Sequence, residues 1–257
     1  MMRMRQRAGL GLVMSAMALG CGEAGGGGVR IVPGQRSPWT VQGTALAIMA
    51  PTHGAVVQNP VRVELLTQGF DAGVPTPGAE ARGLAKSDQG QHVHVVVDNE
   101  PYHAVYDLST PYELPELAPG PHAVRAFPSR QWHESVKAAG AFEVVQFYVG
   151  AQQGDLPITP GAPLLTYSRP VGTYQGNDAD SILVDFYVRN ADMGPNGHKV
   201  RLTVDNTSTE LIAAWIPYFI VGLPAGEHTV KLELLDPAGR PVGGPYNVTE
   251  RVITVER

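Results

Sequence analysis

The chain has 257 residues and a formal net charge of −5, from 19 Lys and Arg against 24 Asp and Glu, which excludes the clustered basic surface that dominates nucleic-acid binding. Its 30 Gly and 22 Pro interrupt helical periods throughout, and a hydrophobic content of 43% is ample for two cores, so an all-β protein is expected. The single cysteine, Cys21, excludes an intrachain disulfide.

The first element is an export signal. Arg3, Arg5 and Arg7 precede an apolar run over residues 8–19, and Ala18-Leu19-Gly20-Cys21 closes it at the cleavage side. The run is too short to span a bilayer as a mature helix, and Cys21 has no intrachain partner; acylation of Cys21 accounts for both facts. Gly20-Cys21 resembles a lipobox, with Ala18 where that pattern prefers Leu and Leu19 where it prefers Ala or Ser. Residues 1–20 are therefore expected as a lipoprotein signal peptide. Residues 21–40, opening on Gly22-Glu23-Ala24-Gly25-Gly26-Gly27-Gly28, are expected as a flexible tether. The resemblance implies a membrane partner through the lipid anchor. It also implies the outer membrane, because Gly22 stands where the inner-membrane retention signal has Asp. The competing reading is an ordinary cleaved signal with Cys21 left as a buried or free thiol.

Beyond the tether the chain reads as short β-branched and aromatic runs bounded by Gly, Pro, Asn and Asp. Strands are expected over 45–48, 61–66, 92–97, 102–106, 123–127 and 142–149, then over 164–167, 182–188, 200–204, 211–215, 218–221, 229–235 and 251–255. The two sets look like one unit used twice. Gly90-Gln91-His92-Val93-His94-Val95-Val96-Val97-Asp98-Asn99 aligns with Gly197-His198-Lys199-Val200-Arg201-Leu202-Thr203-Val204-Asp205-Asn206 at an offset of 107. Leu117-Ala118-Pro119-Gly120-Pro121-His122 aligns with Leu223-Pro224-Ala225-Gly226-Glu227-His228 at 106. Near-equal offsets point to duplication. Strands at this spacing suit two tandem immunoglobulin-like β-sandwiches, over 41–150 and 162–257 with a linker over 151–161.

The duplication acts as a control on the histidines. His122 and His228 occupy matched positions, so both are expected to be structural. His92 and His94 align with Lys199 and Arg201, so the fold does not require imidazole there. Along 92–97 the period of two puts Val93, Val95 and Val97 toward the core and His92 and His94 outward. A two-residue turn at Asn99-Glu100 brings His103 onto the same face, whereas a three-residue loop moves it to the other. His92, His94 and His103, with His133 from a later loop, are candidate ligands for copper or zinc, since neutral imidazole suits both metals. The alternative is a polar sheet face or a contact patch for an envelope protein. The stretch 68–91 is long enough to fold over this face.

Gly90-x-His92-x-His94-x-x-x-Asp98-Asn99-x-Pro101-Tyr102, then Gly120-x-His122 and Ser129-Arg130-x-x-His133-Glu134-Ser135-x-Lys137, resemble a family of uncharacterised exported bacterial proteins, often lipoproteins. Pro51-x-x-Gly54-Ala55-x-Val57 fits the start of that module. The resemblance covers about 49–150 and implies export but no particular reaction. Nucleophile elbow, zinc-helix and phosphate-loop motifs are missing, and adjacent His133-Glu134-Ser135 cannot normally converge. A non-enzymatic binding or spacing module is therefore expected, with a hydrolase of unknown type the weaker reading. Trp132, Trp215 and Tyr218 are candidate contact aromatics, the last two more at home in a core.

Overall fold

The computed structural model describes residues 28–37 and 43–257. The signal, Cys21 and most of the glycine run lie outside the described residues. In chain order the strands are β1 (Arg30–Pro33), β2 (Ala45–Ala50), β3 (Val56–Val57), β4 (Arg62–Gln68), β5 (His92–Val97), β6 (His103–Val105), β7 (Tyr112–Glu113), β8 (Gly120–Ser129) and β9 (Glu143–Val149). They continue as β10 (Leu164–Arg169), β11 (Gly172–Gln175), β12 (Ile182–Arg189), β13 (Lys199–Val204), β14 (Ser208–Ile212), β15 (Tyr218–Val221), β16 (Gly226–Leu235) and β17 (Val248–Glu256). Among the described residues no helix is long and apolar enough to cross a membrane.

These strands form two β-sandwiches of the same topology. In the first, β2-β4-β7 faces β3-β9-β8-β5-β6; in the second, β1-β15-β12-β10 faces β11-β17-β16-β13-β14. In each the short strand β3 or β11 runs parallel to the last strand, and β2 and β10 each carry a bulge, between Ile48 and Ala50 and between Tyr167 and Arg169. Alternation builds the cores. Val93, Val95 and Val97 join Val63, Val124, Ala126 and Phe147 in the first, and Val200, Leu202 and Val204 join Val184, Ile220 and Leu232 in the second.

The aligned motifs serve one repeated clamp. Asp98 Oδ2 accepts from His122 Nδ1 at 2.7 Å and its Oδ1 accepts from the Ala123 N–H at 2.9 Å. Asp205 repeats this with His228 Nδ1 at 2.7 Å and the Thr229 N–H at 2.8 Å. Both aspartates sit at positive φ, 48° and 50°, which Asp tolerates better than bulkier residues because its short polar side chain bonds locally. His122 and His228 also reach back to the carbonyls of Ala118 and Pro224. Both histidines are thus architectural.

Two expectations are corrected. Arg30–Pro33 falls inside the expected tether but is a strand, paired antiparallel with β15 from Arg30↔Val221 to Pro33↔Tyr218. It satisfies an edge that otherwise presents unpaired backbone groups, and Ile31 packs on the second core. The run expected over 211–215 ends instead at Ile212, because Trp215 leaves the ladder and donates its Nε1–H to the Phe186 carbonyl.

The sandwiches pack against each other, and this decides the environment of the histidines. Val96, Ala123, Phe127 and Phe142 from the first join Leu164, Tyr187 and Tyr246 from the second in a shared apolar cluster. Arg125 crosses the seam, fully buried: Nη1 donates to the Leu165 carbonyl at 3.1 Å and to Thr166 Oγ1 at 3.0 Å, and Nη2 donates to the Asp98 carbonyl. Its charge lies 4.2 Å from the Tyr246 ring centroid, and burial pushes its pKa down to about 10. A second buried charge, Lys137, meets Asp185 across the same seam at 2.6 Å.

Candidate metal centre

All six side chains of β5 are buried, those facing away from the first core included. The alternation expected from sequence holds, but the outward face lies against the second sandwich, so His92 and His94 are both 0% exposed. His133 arrives from the turn after β8, where its N–H donates to the Arg130 carbonyl at 2.8 Å and its backbone adopts φ 68°. The Gln131 side chain ties that turn to the stretch 68–91 through Thr76 and Ser87. That stretch folds over the histidines, with Ser87 Oγ 2.7 Å from Tyr106 Oη and the Tyr106 ring 4.8 Å from that of His92.

One nitrogen each of His92, His94 and His133 lies within 4.8 Å of the others. His92 Nε2 is 3.0 Å from His94 Nε2 and 3.1 Å from His133 Nδ1. The second nitrogen of His92 sets its tautomer. His92 Nδ1 lies 3.0 Å from the Gly90 carbonyl, which can only accept, so Nδ1 carries the proton and Nε2 offers a lone pair. His94 Nδ1 pairs with Ser168 Oγ of the second sandwich at 3.1 Å, leaving its Nε2 toward His92. Such partners orient ligand histidines.

Electrostatics keep the group neutral. Burial, with Arg169 nearby and against the pull of the Gly90 carbonyl, holds His92 at about 4. Burial and the neighbouring imidazoles hold His94 well below its ordinary value, and burial with Arg169 does the same to His133. Metal ligation needs neutral imidazole; this site supplies three.

His103 is not part of the group. The observed pairs are Val95↔His103 and His94↔Ala104, one residue out of the register set by a two-residue turn, so His103 shares the face of Val95. The longer loop accommodates Asp98 in its clamp. The shift puts Tyr102 where His103 was expected: its ring stacks on His94 at 3.5 Å and 6°, and its Oη lies 3.2 Å from His133 Nδ1. Burial pushes the Tyr102 phenol up. Tyr102, Ser168 and Arg169 were all missed as site residues; only Tyr102 had a signal, its place beside His103 in the quoted motif.

Neighbours of His133 diverge as adjacent residues must. Glu134 accepts from Trp132 Nε1 at 2.8 Å and from the Ser37 N–H at 2.9 Å, while Ser135 Oγ donates to Asp185 at 3.0 Å. Trp132 is no contact aromatic: it is 1% exposed, with Arg82 stacked 4.5 Å over its ring. Tyr218 is in the second core and Trp215 packs half-buried against it.

This is an all-β protein of two immunoglobulin-like sandwiches with a histidine cluster sealed in their seam. No family model matches the chain, and no curated protein does. Among solved structures it is similar to the fibronectin(III)-like modules of CbhA from Clostridium thermocellum, at 10% identity and a TM-score of 0.27, over 82% of this chain and 94% of that one. It is similar also to the central fibronectin-III array of RIM-binding protein, at 14% identity and a TM-score of 0.23, over 87% and 69%. A third likeness is to Parabacteroides merdae beta-glucuronidase, at 8% identity and a TM-score of 0.25; it covers 83% of this chain but 24% of that enzyme.

Proposed function

We propose that this protein is a non-enzymatic binding module of the bacterial envelope, anchored through lipid on Cys21, whose two sandwiches enclose one copper or zinc ion between His92, His94 and His133. The observation that carries the metal reading is the convergence of three neutral imidazoles in one buried site, two of them with the outer nitrogen already held by Gly90 or Ser168. Ligands about 2.0–2.1 Å from one metal lie roughly 2.9–3.4 Å apart when they are cis, which is the spacing of His92 Nε2 from its two neighbours. A polar sheet face would not be sealed from water, and a spacing module would not need imidazole in its seam.

Copper or zinc added to the metal-stripped whole chain should raise its melting temperature. At a hundredfold excess over Kd the gain is about 2.7 kcal/mol, or roughly 5–10 °C for a chain of this size. The shift should vanish in His94→Ala. A wild-type chain whose melting temperature stays fixed at saturating copper and zinc ends the metal reading and leaves the spacing module.

The anchor reading has its own test. Mature wild type should partition into detergent and Cys21→Ala should remain aqueous and unprocessed. Equal solubility and processing of the two would sink it. Outer-membrane residence is proposed from Gly22 in place of Asp after the cysteine.

A further inference from the structure

We propose that Tyr102 supplies the fourth donor of the metal centre, as a phenolate, making it a three-histidine, one-tyrosinate site suited to copper(II). This deepens the three-histidine reading above and rests on it.

Four donor atoms follow one another at coordination spacing. His94 Nε2 to His92 Nε2 is 3.0 Å, His92 Nε2 to His133 Nδ1 is 3.1 Å, and His133 Nδ1 to Tyr102 Oη is 3.2 Å. The phenol oxygen therefore stands to His133 Nδ1 as His92 Nε2 does. Its ring stacks on that of His94 at 3.5 Å and 6°, which fixes the phenol beside the histidine nitrogens.

Charge points the same way. Three imidazoles bring no charge, and among the described residues no carboxylate or thiol belongs to the donor group. Arg169 adds a positive charge 5.4 Å from the Tyr102 ring centroid. A dication buried there without an anionic donor meets the full cost of an uncompensated charge. Tyr102 is the acid already touching the donors. On ligation the metal–oxygen bond replaces the phenolic O–H bond, no electrons change hands, and the proton leaves to solvent.

The test adds copper(II) to the metal-stripped mature chain and to Tyr102→Phe, which keeps the ring and its stack. Wild type should show a visible phenolate-to-copper charge-transfer absorption, with tyrosinate ring modes in resonance Raman excited within that band. It should release one more proton per copper than Tyr102→Phe. The variant should still take up copper, at least about tenfold more weakly, without the band. Copper uptake by wild type with no such band, or with spectrum and proton release equal to those of the variant, overturns tyrosinate ligation and leaves the three-histidine site standing. Failure of wild type to take up copper in equilibrium dialysis overturns both. The Raman measurement needs wild type alone, so it decides the matter even if Tyr102→Phe does not fold.

Discussion

Acidifying the metal-free protein from pH 6.5 to pH 4 is expected to remove several kcal/mol of stability through the histidine cluster alone. His92 titrates at about 4 in the folded chain because burial disfavours its charged form, against about 6.5 when unfolded. Between those values the unfolded state binds the extra proton, so stability rises with pH across the window, is fully present above about 6.5, and is lost as pH falls toward 4. A shift of this size corresponds to about 3 kcal/mol for His92. His94 and His133 are displaced in the same direction and add to the effect. Urea unfolding of the chelator-treated chain at steps across this range should show a steeper loss in wild type than in a His92→Gln/His94→Gln/His133→Gln variant, which keeps the ordinary carboxylate titrations. Parallel curves for the two proteins would mean that the imidazoles are reached by water.

Strand composition was legible because it depends on local chemistry. Val93, Val95 and Val97 alternate with the histidines, and Lys199, Arg201 and Thr203 repeat that alternation in the second copy, so the faces of β5 and β13 follow from the chain alone. The structural role of His122 and His228 was legible for the same reason, since both follow matched glycine turns; their aspartate partners were not. Register was not. A turn one residue longer exchanges His103 for Tyr102 at the site, and nothing in Asp98-Asn99-Glu100 announces that Asp98 is committed to the Ala123 N–H. The docking of the sandwiches was also hidden. It turns a face that looks solvent-exposed into an interior, and the residues responsible, Ser168, Arg169 and Asp185, lie 74 or more positions beyond His94 with no periodic relation to it. Arg30–Pro33 was hidden for a related reason, because a four-residue edge strand carries too little pattern to separate it from a linker.

The seam that seals the site should fail in a characteristic way when its buried ion pair is broken. Lys137 and Asp185 are 3% and 0% exposed in their side chains and 2.6 Å apart, and Ser135 Oγ also donates to Asp185 Oδ1. Asp185 Oδ2 has no hydrogen-bond partner, so this carboxylate is held by one oxygen only. Asp185→Leu strands an ammonium inside the protein, and Lys137→Met strands a carboxylate; each is expected to cost about 3–5 kcal/mol, most of it the penalty of the charge left behind. The double variant Lys137→Met/Asp185→Leu buries neither charge and should recover most of the loss. Because the pair joins two sandwiches that each possess a core of their own, either single variant should also separate urea unfolding into two transitions where wild type shows one. Losses that merely add in the double variant, with a single transition throughout, would show that the pair is dispensable to the docking of the sandwiches and that the histidine centre is sealed by the apolar cluster of Phe127, Phe142 and Tyr187 instead.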